Sequence, residues 1–190
     1  MTITLADIQR RVGVPADGIW GPVTATAVAR ALGIEEPSIV IPDDYWPMLS
    51  RIESNDQPYV KAATSSASGL YQFIRSTWIG EGGQWGSDLS KAFGGLKPNV
   101  EEQLMRAKSL TAKNAAYLAG TGLPINKASL YAAHFLGAGT AARVIAADVN
   151  ARADQIAGTA ATNANPSILR GKTVGQFLSW LHRKTGDWAR

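Results

Sequence analysis

Helix-forming patterns fill the chain from Asp44 onward, and no other feature constrains the fold as strongly. The first pattern places apolar side chains on one face of a helix that ends near Glu53, because Asn55 and Pro58 follow it. These side chains are Tyr45, Met48, Leu49 and Ile52. Similar spacing continues through most of the chain. The pattern predicts a mainly α fold.

Residues of the cap-forming type predict where the later helices begin. They are Ser68, Asn99, Asn126, Thr140 and Thr173. The helix after Ser68 would carry Leu70, Phe73, Ile74 and Trp78, and the long helix after Asn99 would stop at Gly120. Residues 79–98 hold six glycines and no clear period, so we expect a loop or a broken helix there.

The N-terminal segment predicts a small helical module of its own. Thr4 can cap a first helix, Pro22 can start a second, and Gly33 can end it. Two prolines and a β-branched run then favour an extended linker. The predicted division is a module at 1–36, a linker at 37–44 and a larger domain at 45–190.

Composition excludes several classes of site. The 190 residues contain no cysteine and two histidines, so neither a disulfide nor a thiolate or multi-histidine metal centre is expected. We expect no metal and no cofactor. The N-terminus lacks the apolar core of a signal peptide, which predicts synthesis in the cytoplasm.

Charge is unevenly distributed along the chain. Residues 1–45 hold three basic and six acidic groups, whereas residues 46–190 hold sixteen basic and nine acidic groups. The larger part should therefore prefer a polyanion, such as nucleic acid, an anionic membrane or a carboxylate-bearing cell wall. Basic clusters do not exceed two adjacent residues, which argues against nucleic acid.

The amphipathic pattern at 173–184 favours a closing helix of the core over a membrane-active one.

Glu53 is the candidate for chemistry. It lies where an apolar helix breaks into a polar loop, and partial burial there would favour the protonated acid that a general acid needs. The small side chains of residues 62–68 leave space for a bulky ligand. Tyr71, Trp78 and Trp85 could offer flat faces to sugar rings or fill the core.

Three motifs follow one another along the larger domain. They are Ile-Glu-Ser at 52–54, Thr-Ser-Ser-Ala-Ser-Gly-Leu-Tyr-Gln-Phe-Ile-Arg-Ser-Thr-Trp at 64–78 and Leu-Tyr-Ala-Ala-His-Phe-Leu-Gly-Ala-Gly-Thr-Ala-Ala-Arg at 130–143. Together they resemble the soluble lytic transglycosylase family, most closely its phage and virion branch. The resemblance implies a lysozyme-like α-helical domain that cleaves the MurNAc-GlcNAc bond of peptidoglycan. It assigns the general acid/base to Glu53.

The resemblance also implies a set of substrate-binding positions. They are Ser65, Ser66, Tyr71, Gln72, Tyr117 and His134. His134 replaces the tyrosine usual in the family, so it could donate to Glu53 or to the substrate, or could fill a core position.

The number of acids in the site distinguishes two reactions. A hydrolytic glycosidase generally uses two carboxylates. The family implies one glutamate that closes a 1,6-anhydro ring on MurNAc. We expect this reaction, with a two-carboxylate muramidase as the alternative and with Asp56, Glu81 and Asp88 as the nearby acids.

Residues 8–28 resemble the helical peptidoglycan-binding domain of wall hydrolases. The positions concerned are Asp17, Gly18 and Trp20, which could contact the wall or only shape their loop.

We expect a monomeric endolysin that reaches the periplasmic wall through a holin, or else a virion-borne enzyme. A non-catalytic virion or wall-binding protein is a further alternative.

Overall fold

The computed structural model describes residues 2–34 and 39–190. The chain divides into two compact units, Met1–Val40 and Ile41–Arg190. The described residues are mainly helical, and strand pairing among them is limited to three isolated bridges. The prediction of a mainly α fold is confirmed. In this part of the chain, helices with the length and apolar character of a membrane span do not occur.

The first unit contains two helices, α1 (Leu5–Val12) and α2 (Pro22–Ala31). The Thr4 side chain accepts a hydrogen bond from the Asp7 amide, while the Asp7 carboxylate accepts one from the Thr4 amide. This reciprocal cap starts α1 where the sequence predicts. Residues 37 and 38, the start of the predicted linker, lie outside the described residues.

The second unit carries the remaining helices, which pack around one core. In chain order these are α3 (Tyr45–Ser54), α4 (Arg75–Gly80), a short 3-10 helix (Ala92–Gly95), α5 (Val100–Gly120), α6 (Lys127–Leu136), α7 (Ala138–Ala146), α8 (Ala153–Ala157), α9 (Thr159–Ala164), α10 (Pro166–Leu169) and α11 (Val174–Thr185). The largest fully buried side chains are Trp78, Tyr45, Phe93, Phe177 and Leu49. Tyr45 and Leu49 confirm that the predicted apolar face of α3 points into the core.

Local capping explains the starts of α1, α5, α6 and α11. Side-chain oxygens of Asn99, Asn126 and Thr173 each accept a hydrogen bond from an amide in the first turn of α5, α6 and α11. These starts are as predicted. The start at Thr140 is wrong by two residues, because Gly137 (φ 78°) turns the chain and α7 follows at once.

The helix predicted after Ser68 does not form. Instead, Ser68 and Phe73 exchange two backbone hydrogen bonds of 3.0 Å, and α4 begins only at Arg75. We call residues 68–73 the cleft turn. Gly69 (φ 78°) and Gln72 (φ 47°) lie in the left-handed region, which interrupts a right-handed helix. Apolar spacing alone therefore suggested the wrong local structure here.

Candidate active site

The second unit contains a cleft of about 850 Å³. It is bounded by the end of α3, the cleft turn, parts of α4 and α5, the junction of α6 with α7, and the alanine-rich residues 157–165. Its polar lining consists of Glu53, Thr64, Ser65, Gln72, Thr77, Asn114, His134, Thr140 and Asn165. Phe73, Ile74, Leu110, Phe135 and Leu136 add apolar surface. A cleft of this composition suits a large ligand with both polar and apolar faces.

The end of α3 fixes the position of Glu53. Asn55 adopts a left-handed conformation (φ 51°) and its amide donates to the last helical carbonyls, which ends the helix just beyond the glutamate. Ser54 is buried, and its Oγ donates to the Leu70 carbonyl at 2.9 Å. This bond ties α3 to the cleft turn. Glu53 thus lies at a helix end that is hydrogen-bonded to the cleft turn.

Tyr131 on α6 is a buried side chain whose pKa is influenced by Glu53. Its side chain is 4% exposed. Burial first, and then the charge of Glu53 and a hydrogen bond with that carboxylate, raise the pKa of Tyr131. Its phenol therefore stays protonated and can act as a donor to the carboxylate.

His134, one turn after Tyr131 on α6, lines the cleft and is partly buried. Burial lowers the pKa of His134, although the charge of Glu53 and a hydrogen bond to the Tyr71 carbonyl oppose the change. The imidazole is therefore mostly neutral near pH 7. In this state one ring nitrogen can donate a hydrogen bond and the other can accept one.

Two further predicted residues lie in the cleft beside Glu53 and His134. Ser65 is exposed there, and its Oγ accepts a hydrogen bond from the Ala67 amide. Gln72 is partly buried, and its Nε2 donates to the Gly69 carbonyl at 2.9 Å. Four of the seven predicted positions of the larger domain are thus brought together.

The other three predicted positions do not line the cleft. Ser66 Oγ accepts from the Arg75 amide at 3.0 Å, which links the loop to the start of α4. Tyr71 is 5% exposed and packs in the core. Tyr117 is 47% exposed and packs beside Gly139. Among these residues, Tyr71 contacts the cleft only indirectly, through its carbonyl and His134.

Each of the three nearby acids is held away from the cleft. The carboxylate of Glu81 accepts from Lys113 Nζ at 2.8 Å and from Ser109 Oγ at 2.7 Å. Burial raises the pKa of Glu81, but these hydrogen bonds and the charges of Lys113 and Arg106 outweigh it and lower the pKa overall. Glu81, which directly follows α4, is therefore an ion-pair partner of Lys113 on α5, and it does not line the cleft.

Asp56 and Asp88 have local partners. Asp56 accepts from Ser50 Oγ and lies 3.5 Å from the Arg51 guanidinium. Asp88 accepts from Ser90 and pairs with Lys91 at 3.1 Å. Among the described residues, Glu53 is consequently the one carboxylate that lines the cleft.

The sequence analysis missed several residues of this site. Tyr131 lies three residues before His134 and so on the same helix face, which is a signal that could have identified it. Asn114 on α5 and the alanine-rich residues 157–165 gave no comparable signal, because they carry no motif and little periodicity. Their place in the cleft depends on the packing of α5 and of α8–α9.

The loop of the first unit is organised by a buried glutamine. Gln9 is 1% exposed; its Nε2 donates to Asp17 Oδ1 at 2.7 Å and its Oε1 accepts from the Gly18 amide at 2.8 Å. Hydrogen bonds from the Ile19 amide and from Gln9 lower the pKa of Asp17. Asp17 and Gly18 thus shape the loop, while Trp20 stands 59% exposed.

Comparisons with known proteins identify no relative. No protein-family model and no curated protein matches the chain significantly. Within residues 2–34 and 39–190, groups of three or more side chains suited to a metal ion do not occur. The function is therefore inferred from the motifs and from the chemistry of the cleft.

Proposed function

We propose that this protein is a peptidoglycan lytic transglycosylase with a lysozyme-like catalytic domain and Glu53 as its general acid and base. The observation that carries the proposal is the single carboxylate in the described lining of the cleft. The order of the three motifs, which resemble those of the family, supports it. The cleft volume of about 850 Å³ also suits more than one sugar ring.

The proposed reaction uses the Glu53 carboxyl group twice, first as an acid and then as a base. Glu53, as the carboxylic acid, donates its proton to the glycosidic oxygen while the bond from that oxygen to C1 of MurNAc breaks. The resemblance implies that the substrate's own N-acetyl group stabilises the cation at C1. The Glu53 carboxylate then takes the proton of the C6 hydroxyl as O6 bonds to C1. Glu53 returns to its acid form, and no water is consumed.

The cleft-lining residues would bind and orient the glycan. Gln72, Asn114 and His134 offer donors and acceptors near Glu53. Phe73 and Ile74 offer apolar surface to sugar faces. We expect these contacts to hold the C6 hydroxyl close to Glu53, since ring closure requires it.

The main alternative is a muramidase that hydrolyses the same bond with two carboxylates. The local pairing of Asp56, Glu81 and Asp88 argues against a second acid. A hydrolase would need one of them to leave its partners and enter the cleft.

Mass spectrometry of digested peptidoglycan tests the proposal. Purified Gram-negative sacculi are incubated with the wild type, and the released muropeptides are analysed. We expect 1,6-anhydroMurNAc ends; mostly reducing MurNAc ends would indicate the muramidase, and no release would refute enzymatic activity on the wall.

Glu53→Gln is the companion variant, and Glu81→Gln is its matched control. Both changes neutralise one carboxylate. We expect Glu53→Gln to lower the initial rate by at least about a hundredfold. Glu81→Gln, which loses an ion pair outside the cleft, should keep at least about half the rate per folded molecule. The reverse ranking would mean that Glu81 is the acid.

We also propose that the first unit binds the wall through Trp20. Its 59% exposure and that of Ile19 (66%) and Val23 (64%) leave an apolar surface around the loop that Gln9 holds. In a sacculus pull-down of the full chain, Trp20→Ala should weaken binding by about tenfold. Leu32→Ala removes an equally exposed apolar residue (68%) of the same unit and should not. Equal binding by both variants would reject this role.

We propose that the protein is made in the host cytoplasm and acts on the periplasmic wall as an endolysin or as a virion-borne enzyme. Immunoblots of purified virions and of lysate distinguish these routes.

A further inference from the structure

A second groove, of about 630 Å³, runs along one face of α11. Its other walls come from residues 149–150, from α10 and from the residues that lead into α11. On the helix itself, Gln176, Ser179, Trp180 and Arg183 line it at helical spacing. We call it the α11 groove. It shares no described lining residue with the cleft that contains Glu53.

The α11 groove is positively charged. Lys172 and Arg183 are its charged side chains, and no Asp or Glu of the described residues lines it. The ion pairs among those residues engage other Lys and Arg side chains. Asp148 and Asp187, which are close to lining residues in sequence, each accept a hydrogen bond from a backbone amide. The two cations therefore have no paired carboxylate in the described chain, and they would attract an anionic ligand.

Uncharged hydrogen-bonding groups line the groove beside these cations. Gln176 Oε1 accepts from the Thr173 amide at 3.0 Å as part of the cap of α11, so its Nε2 group is the end left for a ligand. Ser167 and Ser179 add hydroxyl groups, and Asn150 adds a side-chain amide. Cations combined with such donors suit carboxylates, whose oxygens carry charge and accept several hydrogen bonds.

The length of the groove suits a short peptide. From Gln176 to Arg183 the helix rises about 10 Å. Roughly three residues of an extended peptide cover the same distance. The volume of about 630 Å³ is also within the usual range of ligand-binding sites.

The α11 groove lies next to the cleft. Trp180 lines the groove and Phe135 lines the cleft, and their ring centroids are 5.1 Å apart. Along the chain, Ser167 of the groove follows Asn165 of the cleft by two residues. One layer of side chains therefore separates the two sites, and a ligand bound in the cleft can reach the groove with a short extension.

A lipid surface is a poor match for this groove. The large apolar side chains of α11 are Phe177, Leu178 and Leu181, and they are at most 4% exposed. A helix that binds in a membrane interface must present its apolar face to the lipid. The exposed basic side chains of α11 are therefore suited to a water-soluble anion.

We propose that the α11 groove is a second wall-binding site that takes the carboxylate-bearing stem peptide of peptidoglycan, with Lys172 and Arg183 as its anion-binding groups. This inference rests on the proposed function, which supplies the wall as the substrate. A stem peptide of the Gram-negative type carries more carboxylates than amines, so its charge is complementary to that of the groove. Binding there favours glycan strands that carry peptides over bare strands.

Titration with a free stem peptide tests the proposal. The probe is the tetrapeptide L-Ala-γ-D-Glu-meso-diaminopimelate-D-Ala, which is added to the isotope-labelled full chain and followed by NMR. We expect millimolar binding that shifts the signals of the Trp180 indole and the Gln176 side-chain amide and that weakens as salt is added. The same peptide with amidated carboxyl groups should bind at least about fivefold more weakly. Equal binding of the two peptides, or no binding at millimolar concentrations, would overturn the proposal.

Arg183→Glu and Lys184→Glu are a matched pair of variants. Both reverse one exposed charge in the last turn of α11, but only Arg183 lines the groove. We expect Arg183→Glu and Lys172→Glu each to weaken peptide binding by about fivefold or more, and Lys184→Glu to change it by less than about twofold. Equal weakening by all three variants would mean that net charge attracts the peptide, and the groove would lose its assigned role.

Other occupants of the groove would be detected in the same NMR experiment. Vesicles of phosphatidylcholine and phosphatidylglycerol that shift the Trp180 and Gln176 signals, when the peptide does not, would assign the groove to a membrane surface. Shifts that depend on protein concentration alone would assign it to a second copy of the chain. Either result would replace the stem peptide as the ligand.

The kinetic consequence is confined to substrate that carries peptides. Arg183→Glu should raise the KM for intact sacculi with little change in kcat. It should change neither value for glycan strands from which an amidase has removed the peptides. A KM that rises equally on both substrates would contradict recognition of the peptide. The NMR titration involves no bond cleavage, so its result stands even if the product analysis refutes the lytic activity.

Discussion

Gly69→Ala should destabilise the second unit strongly, because the cleft turn leaves no space for a methyl group. A Cβ at Gly69 would lie 2.4 Å from Gln103 Oε1 and 2.4 Å from Phe93 Cζ. Neither neighbour can easily move. Phe93 is fully buried, and Gln103 is fixed by hydrogen bonds with the Leu70 amide (2.9 Å) and the Pro58 carbonyl (3.1 Å). The substitution therefore strains the cleft turn, of which Gln72 and Phe73 line the cleft.

The expected magnitude has two parts. Placing alanine at φ 78° costs roughly 1–2 kcal/mol, because the left-handed region brings Cβ close to the following carbonyl. Inserting a methyl group against two fixed side chains costs a further 1–3 kcal/mol or so. The free energy of unfolding should fall by about 2–5 kcal/mol, a large share of the roughly 5–15 kcal/mol typical of a domain.

Urea unfolding followed by far-ultraviolet circular dichroism measures this loss. The matched control is Gly122→Ala, since Gly122 has nearly the same φ (76°) but nothing within 4 Å of an added Cβ. That variant should lose only the backbone part, about 1–2 kcal/mol. If both variants lose the same free energy, the steric reasoning at Gly69 is refuted.

Three further outcomes follow from contacts within the second unit. Ser54→Ala removes the donor to the Leu70 carbonyl, so we expect about 1–3 kcal/mol less stability in urea unfolding and slower muropeptide release; unchanged values would show that this bond is not needed. Thr173→Ala removes the cap of α11 and should cost about 1 kcal/mol in the same assay, with no effect on the pH dependence of activity. Burial lowers the pKa of His134, so the unfolded chain takes up a proton near pH 6.5 that the folded state resists, and stability falls as the pH drops below that value. Wild type should lose more stability between pH 7 and pH 5 than His134→Gln does, and equal losses would contradict this.

Several features of the site could be predicted because they depend only on residues that are close together in the sequence. The end of α3 follows from Asn55, which adopts a left-handed conformation directly after Glu53 and Ser54. His134 likewise lies within α6, and Gly137 ends that helix where the sequence predicts. What could not be predicted was which side chains from distant parts of the sequence lie near Glu53.

The cleft turn illustrates this limit. Its apolar spacing favours a helix, but the Leu70 amide binds Gln103, which lies 33 residues further along the chain. The same packing turns Tyr71 into the core and brings Tyr131 to Glu53. It also places the alanine-rich residues 157–165 in the wall of the cleft.

The sequence by itself determined the mainly α class and the starts of α1, α5, α6 and α11, because a cap such as Asn99 or Thr173 acts on amides within one turn of itself. Only the tertiary structure decided that Glu53 lines the cleft without a second acid and that Glu81 is held by Lys113. Ion pairs and burial depend on side chains that are distant in sequence, and local patterns carry no information about which of these side chains will meet.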